Sequence, residues 1–226
     1  MMDVLDAIET RKSIRAFTDQ PVPRETLEKI LEISQRAPSG TNTQPWRVWL
    51  CTGKVKEAIT EDVLAAARAG EGKGYEHTNY YPSQWNDLHR DRRRGVGWQL
   101  YGLLGIQKGD REGSARQGGR NFEFFDAPVG LFITIDKYLT LGNWADVGMY
   151  VQTVMLAARG FNLDTCAQAA WVGHQETVFK HLGVPDDQLL VSGMSLGYAD
   201  HSKIENTLVS DREDLANVAH WVGFED

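Results

Sequence analysis

Residues 141–159 read LGNWADVGMYVQTVMLAAR. Leu141, Trp144, Gly148, Val151, Met155 and Ala158 recur at helical spacing and mark one face, while Val147, Tyr150, Val154 and Ala157 fill much of the rest. A helix that is apolar nearly all round belongs inside a core or an oligomer interface. It needs a sheet to lie against, and the neighbouring segments supply one. Upstream, residues 129–136 (VGLFITID) form a β-rich run bounded by Pro128 and a charged pair, which reads as a central strand. Downstream, residues 188–196 read as a further strand, and residues 47–52 (RVWLCT) as a short strand buried on both faces.

Further out, Asp3 is placed to cap a first helix carrying Val4, Leu5 and Ile8. Pro23 suits the first turn of a second, with Leu27, Ile30, Leu31 and Ser34 in phase, and Ala37-Pro38-Ser39-Gly40 stops it. Residues 55–69 are helical in pattern, and helix resumes at 98–107. Between them, residues 70–94 are rich in Gly, Tyr and charge and have poor periodicity, which points to a long functional loop or lid. Helices and strands mix without strict βαβ alternation. The expectation is therefore one α+β domain over residues 1–226, a mixed central sheet flanked by helices, with a lid around 70–125 and a C-terminal arm around 205–226.

Composition narrows the function. A net charge of -7 argues against a general nucleic-acid binder. No run approaches the roughly 18 apolar residues of a membrane span, and the start of the chain shows no secretory signal. The two cysteines, Cys51 and Cys166, form neither a disulfide framework nor a metal cluster and fit a reducing cytoplasm. The six histidines show no metal spacing, and His174 and His181 read as helix surface. There is no G-x-G-x-x-G after a strand, no Walker loop and no legible Ser/His/Asp set.

Three clusters carry chemistry: Arg11-Lys12-Ser13-Ile14-Arg15, Pro38-Ser39-Gly40-Thr41-Asn42-Thr43-Gln44-Pro45-Trp46, and Thr165-Cys166-Ala167-Gln168-Ala169-Ala170. Two guanidinium groups flanking a hydroxyl suit a phosphate, although alone they read first as a solvated basic patch at a helix end. Polar loop residues such as Ser39, Asn42 and Gln44 often only satisfy their own turns. Cys166 reads as packing ahead of a reactive thiol. Tyr75, Tyr80, Tyr81 and Trp85 are candidates to wall a flat aromatic substrate. For Trp98, Tyr101, Phe122, Phe124 and Phe125 the core is the preferred reading, and for Arg90 and Arg92–Arg94 a solvated charged face.

In order and spacing these clusters, with Leu196-Gly197-Tyr198-Ala199-Asp200 and Asn206 beyond them, resemble the FMN-dependent nitroreductases along nearly the whole chain. YYPSQW, RRRGVGWQLYGLLGI and NFEFFDAPVGLFITID look like the subgroup that reduces nitrobenzoates and related nitroaromatics. The resemblance implies an interlocked homodimer with FMN at the interface, hydride transfer from NAD(P)H through flavin N5 to a small nitroaromatic by a ping-pong mechanism, and no metal. It implies that Arg11, Lys12 and Ser13 hold the FMN phosphate and that Arg15 places a positive charge by the flavin ring. Pro38, Ser39, Asn42 and Gln44 then reach the partner's flavin. Ala167, Gln168, Ala169 and Ala170 pass beneath the ring, the Ala169 amide donating to N5. Two departures stand out: the family's usual proline is Ala167 here, and an arginine expected three residues after Asn206 is Val209, leaving Arg212 as the later phosphate contact. The competing readings are another flavin reaction on the same scaffold (quinone reduction, ene reduction or reductive dehalogenation) and a non-catalytic flavin-binding protein.

Overall fold

The computed structural model describes residues 2–71 and 80–224. Helix α1 (Val4–Thr10) starts where Asp3 accepts a hydrogen bond from Leu5 N at 2.8 Å, and α2 (Arg24–Ser34) starts after Pro23. Strand β1 (Trp46–Cys51) leads into α3 (Gly53–Arg68). Two further helices, α4 (Asp87–Leu103) and α5 (Arg111–Gly119), precede β2 (Val129–Asp136). Then come α6 (Leu141–Gly160), β3 (Asp164–Gln168), α7 (Gln175–Leu182), β4 (Gln188–Gly197) and the short α8 (Leu215–Val218).

The strands form one sheet in the order β1-β2-β4-β3. The expected α+β class holds, with every pairing between these strands antiparallel; parallel pairing enters through the bridge from Ser13 to Thr165 at the β3 edge. β2 is central and buried on both faces, as its unbroken apolar run requires. Its side chains alternate: Leu131, Ile133 and Ile135 join Leu27, Ile30, Val147, Tyr150 and Val154 from α2 and α6 in one core layer. Phe132 points the other way, into a layer with Ile59, Val63, Phe124, Trp171 and Val178. Tyr150 stacks on Trp46 with ring centroids 4.6 Å apart.

Three expectations are corrected. β1 is an edge strand with Arg47 exposed and Val48, Trp49 and Leu50 half-buried, so the strand is not buried on both faces although Trp46 and Cys51 are buried. The irregular segment ends earlier than expected, because Asn86 caps α4 by accepting from His89 N at 2.9 Å and Asp87 pairs with Arg90 at 2.7 Å. Residues 87–97 are therefore helical, and the helix stops at Leu103 because the chain turns through Gly105 at φ 70°. Trp98 is 48% exposed and does not belong to the core, whereas Phe124 and Phe125 do. Tyr75 lies outside the described residues.

Gly193 on β4 marks a close approach. A Cβ there would stand 2.2 Å from Cδ1 of the fully buried Trp171. Gly193→Ala should cost about 1–3 kcal/mol, read as a lowered urea midpoint at unchanged slope. A change below about 0.5 kcal/mol would show that β4 and Trp171 are less tightly apposed than described.

Candidate active site

The first cluster sits just past the α1 C-terminus, and its main chain is tied into the sheet. Ile14 N donates to Thr165 O at 3.1 Å, beside the Ser13–Thr165 bridge, and Phe17 N donates to Phe125 O at 3.0 Å. Asn206, 5% exposed, completes the anchoring. Its Oδ1 accepts from Arg15 N at 2.8 Å, and its Nδ2 donates to Ala16 O at 2.8 Å and Asp200 O at 2.9 Å.

A cleft of about 780 Å³ opens over this segment. It gathers Arg11, Lys12, Ser13, Arg15 and Arg212, all singled out in the sequence, and adds Arg92 and Val96 from α4. Glu9 and Asp211 are its acidic members. Several of the cations also have protein partners. Lys12 Nζ donates to Asn206 O at 2.9 Å, Arg15 Nη1 to Ser13 O at 3.1 Å, and Arg212 Nη1 to the carbonyls of Ser210 and Asp211, each at 2.9 Å. Val209 is exposed.

Thr165 to Gln168 of the third cluster lie on strand β3. Ala167 pairs with Met194 and Gln168 with Gly193 on β4, so the ladder supplies the rigidity that a proline would otherwise give. Residues Thr165 and Ala167 share a face of β3, roughly 7 Å apart along the strand. Ala167 is exposed and lines a second, apolar groove of about 690 Å³ with Tyr80, Leu141, Trp144, Gly148 and Val151. The polar cleft and the apolar groove thus follow one another along the β3 edge. The Gln168 side chain is turned inward: Ser195 Oγ donates to its Oε1 at 2.7 Å, and its Nε2 donates to Asn121 O at 2.6 Å. What Gln168 can offer a ligand is therefore main chain. Ala169 and Ala170 are half-buried at the start of a 3-10 turn.

The second cluster does not line the cleft of its own chain. Its loop is built for presentation. Thr41, Asn42 and Gln44 all have positive φ (48°, 60° and 47°), a conformation that costs a non-glycine residue on the order of 1–3 kcal/mol. Local bonds hold it: Gln44 N donates to Ser39 Oγ at 3.0 Å, and Gly40 N to Asp146 Oδ1 at 3.0 Å. Pro38, Asn42 and Gln44 are exposed. Asp146 escaped the sequence reading, though a buried carboxylate in an otherwise apolar helix was its signal.

The arginines of α4 divide by helical phase and are not one solvated face. Arg90 pairs with Asp87, Arg92 faces the cleft and pairs with Glu213, and Arg93 lies over Tyr81 and Trp85, 5.6 and 5.5 Å from the ring centroids. Tyr81 and Trp85 therefore cluster with Arg93, and of the lid aromatics only Tyr80 reaches the apolar groove among the described residues. His181 bonds Asp62 at 2.8 Å on the α7 surface, while His174 packs edge-on against Phe122 and burial lowers its pKa. Among the described residues no group of His, Cys, Asp and Glu is arranged to hold a metal.

Residues 8–198 match the family model for the nitroreductase family. A 4-nitrobenzoate reductase of Pseudomonas putida is 38% identical over all of this chain and 98% of its own length. A nitrobenzene nitroreductase of Ectopseudomonas oleovorans is 39% identical over 96% of each chain. Among solved structures, the FMN and NADPH-dependent nitroreductase NfnB of Sphigopyxis sp. strain HMH superposes with a TM-score of 0.93 at 39% identity, over 99% of this chain and 100% of that one. FMN-dependent NfnB of Mycobacterium smegmatis, in complex with NADPH, gives 0.89 at 28% identity over 97% and 100%.

Burial raises the pKa of both thiols, that of Cys51 to about 12; for Cys166 desolvation outweighs the pull of Arg15, Ser13 and Arg11. Neither is a nucleophile near neutrality. The native protein should resist a water-soluble alkylating agent at mildly alkaline pH and take up two labels per chain once denatured. Rapid native labelling of Cys166 would show an accessible thiolate beside the cleft.

Proposed function

This chain belongs to the nitroreductase family, and from that premise we propose that it is an FMN-dependent enzyme that uses NAD(P)H to reduce nitroaromatic compounds. One observation carries the assignment to this chain's own residues: Arg11, Ser13 and Arg15, with Arg212 from the far end of the chain, line one cleft whose neighbour along β3 is an apolar groove. That donor set fits a phosphate monoester, because guanidinium groups and a hydroxyl offer several charge-assisted bonds at once. The groove fits a flat ring.

FMN, when bound, would supply the redox chemistry that moves hydride from NAD(P)H to the second substrate. The protein's part is to bind, orient and exclude water. Arg11 and Ser13 hold the phosphate. Arg15, fixed at its main chain by Asn206, would place positive charge beside the flavin ring. The Ala169 amide is the donor toward N5, and the small side chains of Ala167, Ala169 and Ala170 let the main chain approach the ring. Tyr80 covers the groove, and the lid between residues 70 and 125 selects the oxidant. With one groove for both substrates, the nicotinamide leaves before the nitroaromatic enters.

The functional unit in this reading is a homodimer in which Ser39, Asn42 and Gln44 complete the partner's site. Several features support it: the loop's exposed and strained presentation, its absence from the cleft of its own chain, and the uncovered apolar residues Leu141 and Met149 on α6 and Trp221, Val222 and Phe224 on the arm. No helix among the described residues is long and apolar enough to cross a membrane. The setting we propose is cytoplasmic, which the two unpaired cysteines support.

Arg11→Ala should weaken FMN by about tenfold or more and leave riboflavin affinity unchanged, measured by flavin fluorescence against the apoprotein. Equal discrimination between FMN and riboflavin in wild type and variant would overturn the phosphate assignment.

If the sites are shared, inactive Arg11→Ala and Gln44→Ala subunits mixed as heterodimers should regain activity, because one site then carries both lesions and the other none. Verified subunit exchange without recovery above either parent would refute the cross-subunit arrangement.

A further inference from the structure

We infer that Arg92, delivered by α4, is a further phosphate-binding residue of the cleft, with Glu213 of the C-terminal arm orienting its guanidinium; this rests on the cleft being the FMN phosphate site. Arg92, Val96 and Gln99 follow one another at helical spacing on the face of α4 that meets the arm. Arg92 and Val96 line the same cleft as Arg11 and Ser13, and Gln99 Nε2 donates to Asp211 Oδ2 at 2.9 Å. The helix is thus pinned to the arm with Arg92 lining the cleft, on an element that none of the three sequence clusters includes.

The state of the other cations makes this contribution matter. Lys12, Arg15 and Arg212 each direct a nitrogen to a main-chain carbonyl, and Val209 stands where the resemblance expects an arginine. The pair with Glu213 uses Nη2 of Arg92. A guanidinium presents five N–H donors in a fixed fork, so one carboxylate contact orients it and leaves donors for a phosphate oxygen. Glu9 and Asp211 also line the cleft, and Arg92 shifts its balance further toward positive charge.

The purely structural alternative is that Arg92 only tethers the arm through Glu213. The two differ in what Glu213 does. We expect Arg92→Gln to weaken FMN about tenfold, to leave riboflavin binding unchanged and to flatten the dependence of FMN affinity on salt. Arg92→Lys should recover part of the loss. Glu213→Gln should retain FMN affinity or raise it, since the amide oxygen still accepts from Nη2 and orients the guanidinium while a negative competitor is removed. Unfolding midpoints of all three variants, measured alongside, confirm that the chain is folded when flavin is titrated. If Arg92→Gln and Glu213→Gln weaken FMN and riboflavin alike, or if Arg92→Gln leaves the FMN-to-riboflavin ratio unchanged, the inference is overturned. Arg11→Ala in the same series separates the two levels: loss of discrimination there but not at Arg92 rejects Arg92 alone, and no loss at either rejects the phosphate cleft itself.

Discussion

The Asn206 carboxamide ties together two stretches of chain, around Ala16 and Asp200, that main-chain bonds from Asp200 N to Ala16 O and from Thr18 N to Tyr198 O also join. Buried, it donates to the carbonyls of Ala16 and Asp200 and accepts from Arg15 N, while the main-chain carbonyl of Asn206 accepts from Lys12 Nζ. The segment bearing Arg11, Ser13 and Arg15 is thereby fixed against the loop after β4 and against the arm that carries Arg212. An amide that loses such partners inside a protein costs roughly 1–3 kcal/mol, and here the loss would also release the floor of the cleft. Positive charges repel one another, so a cluster of arginines forms a site only when its main chain is held from behind. Asn206 does that holding.

A second constraint runs through residues 124–126, all at positive φ (53°, 52° and 69°). Strain of this kind persists where surrounding bonds over-determine it. Arg120 grips Asp126 with two bonds at 2.7 and 2.8 Å, and Lys56 Nζ, its pKa lowered by burial, donates to Ala127 O at 2.7 Å. The result is that Phe125 O meets Phe17 N just after the first cluster, and Asn121 O meets Gln168 just before the Ala169 amide. One strained turn is therefore bonded both to the segment after the first cluster and to Gln168 of the third.

Much of this was legible in the sequence where a single physical signal decided it. The apolar run of β2 and the Asp3 cap fell where their chemistry placed them, and Arg11, Ser13 and Arg15 line one cleft; α6 buries Val147, Tyr150, Val154 and Ala158 but leaves Leu141 and Gly148 exposed. The misses came where tertiary context overrode a local pattern. RVWLC has the composition of a buried strand but lies at the sheet edge, a fact that pairing order decides and composition does not. The start of α4 is polar and arginine-rich, so it lacks an apolar period, and its helix rests on the Asn86 cap and the Asp87–Arg90 pair. Ala167 stands where the family's usual proline was expected, and β4 holds that residue in a ladder that the cluster's small residues do not announce. Arg92 was hidden among its neighbours, and only the helical phase of α4 separates it from Arg90 and Arg93.

The account turns on a single claim: one site on this protein takes reducing equivalents from a nicotinamide and delivers them to a nitroaromatic in two separate steps. The direct measurement is anaerobic. The holoprotein is reduced with NADPH, stripped of nicotinamide, and then mixed with nitrobenzene or 4-nitrobenzoate in a stopped-flow spectrometer. The account predicts that the flavin absorbance returns at a rate that saturates with the nitro compound and is at least as fast as steady-state turnover, with no nicotinamide present. Reoxidation by dioxygen alone, or reoxidation by the nitro compound only while nicotinamide remains bound, would contradict it.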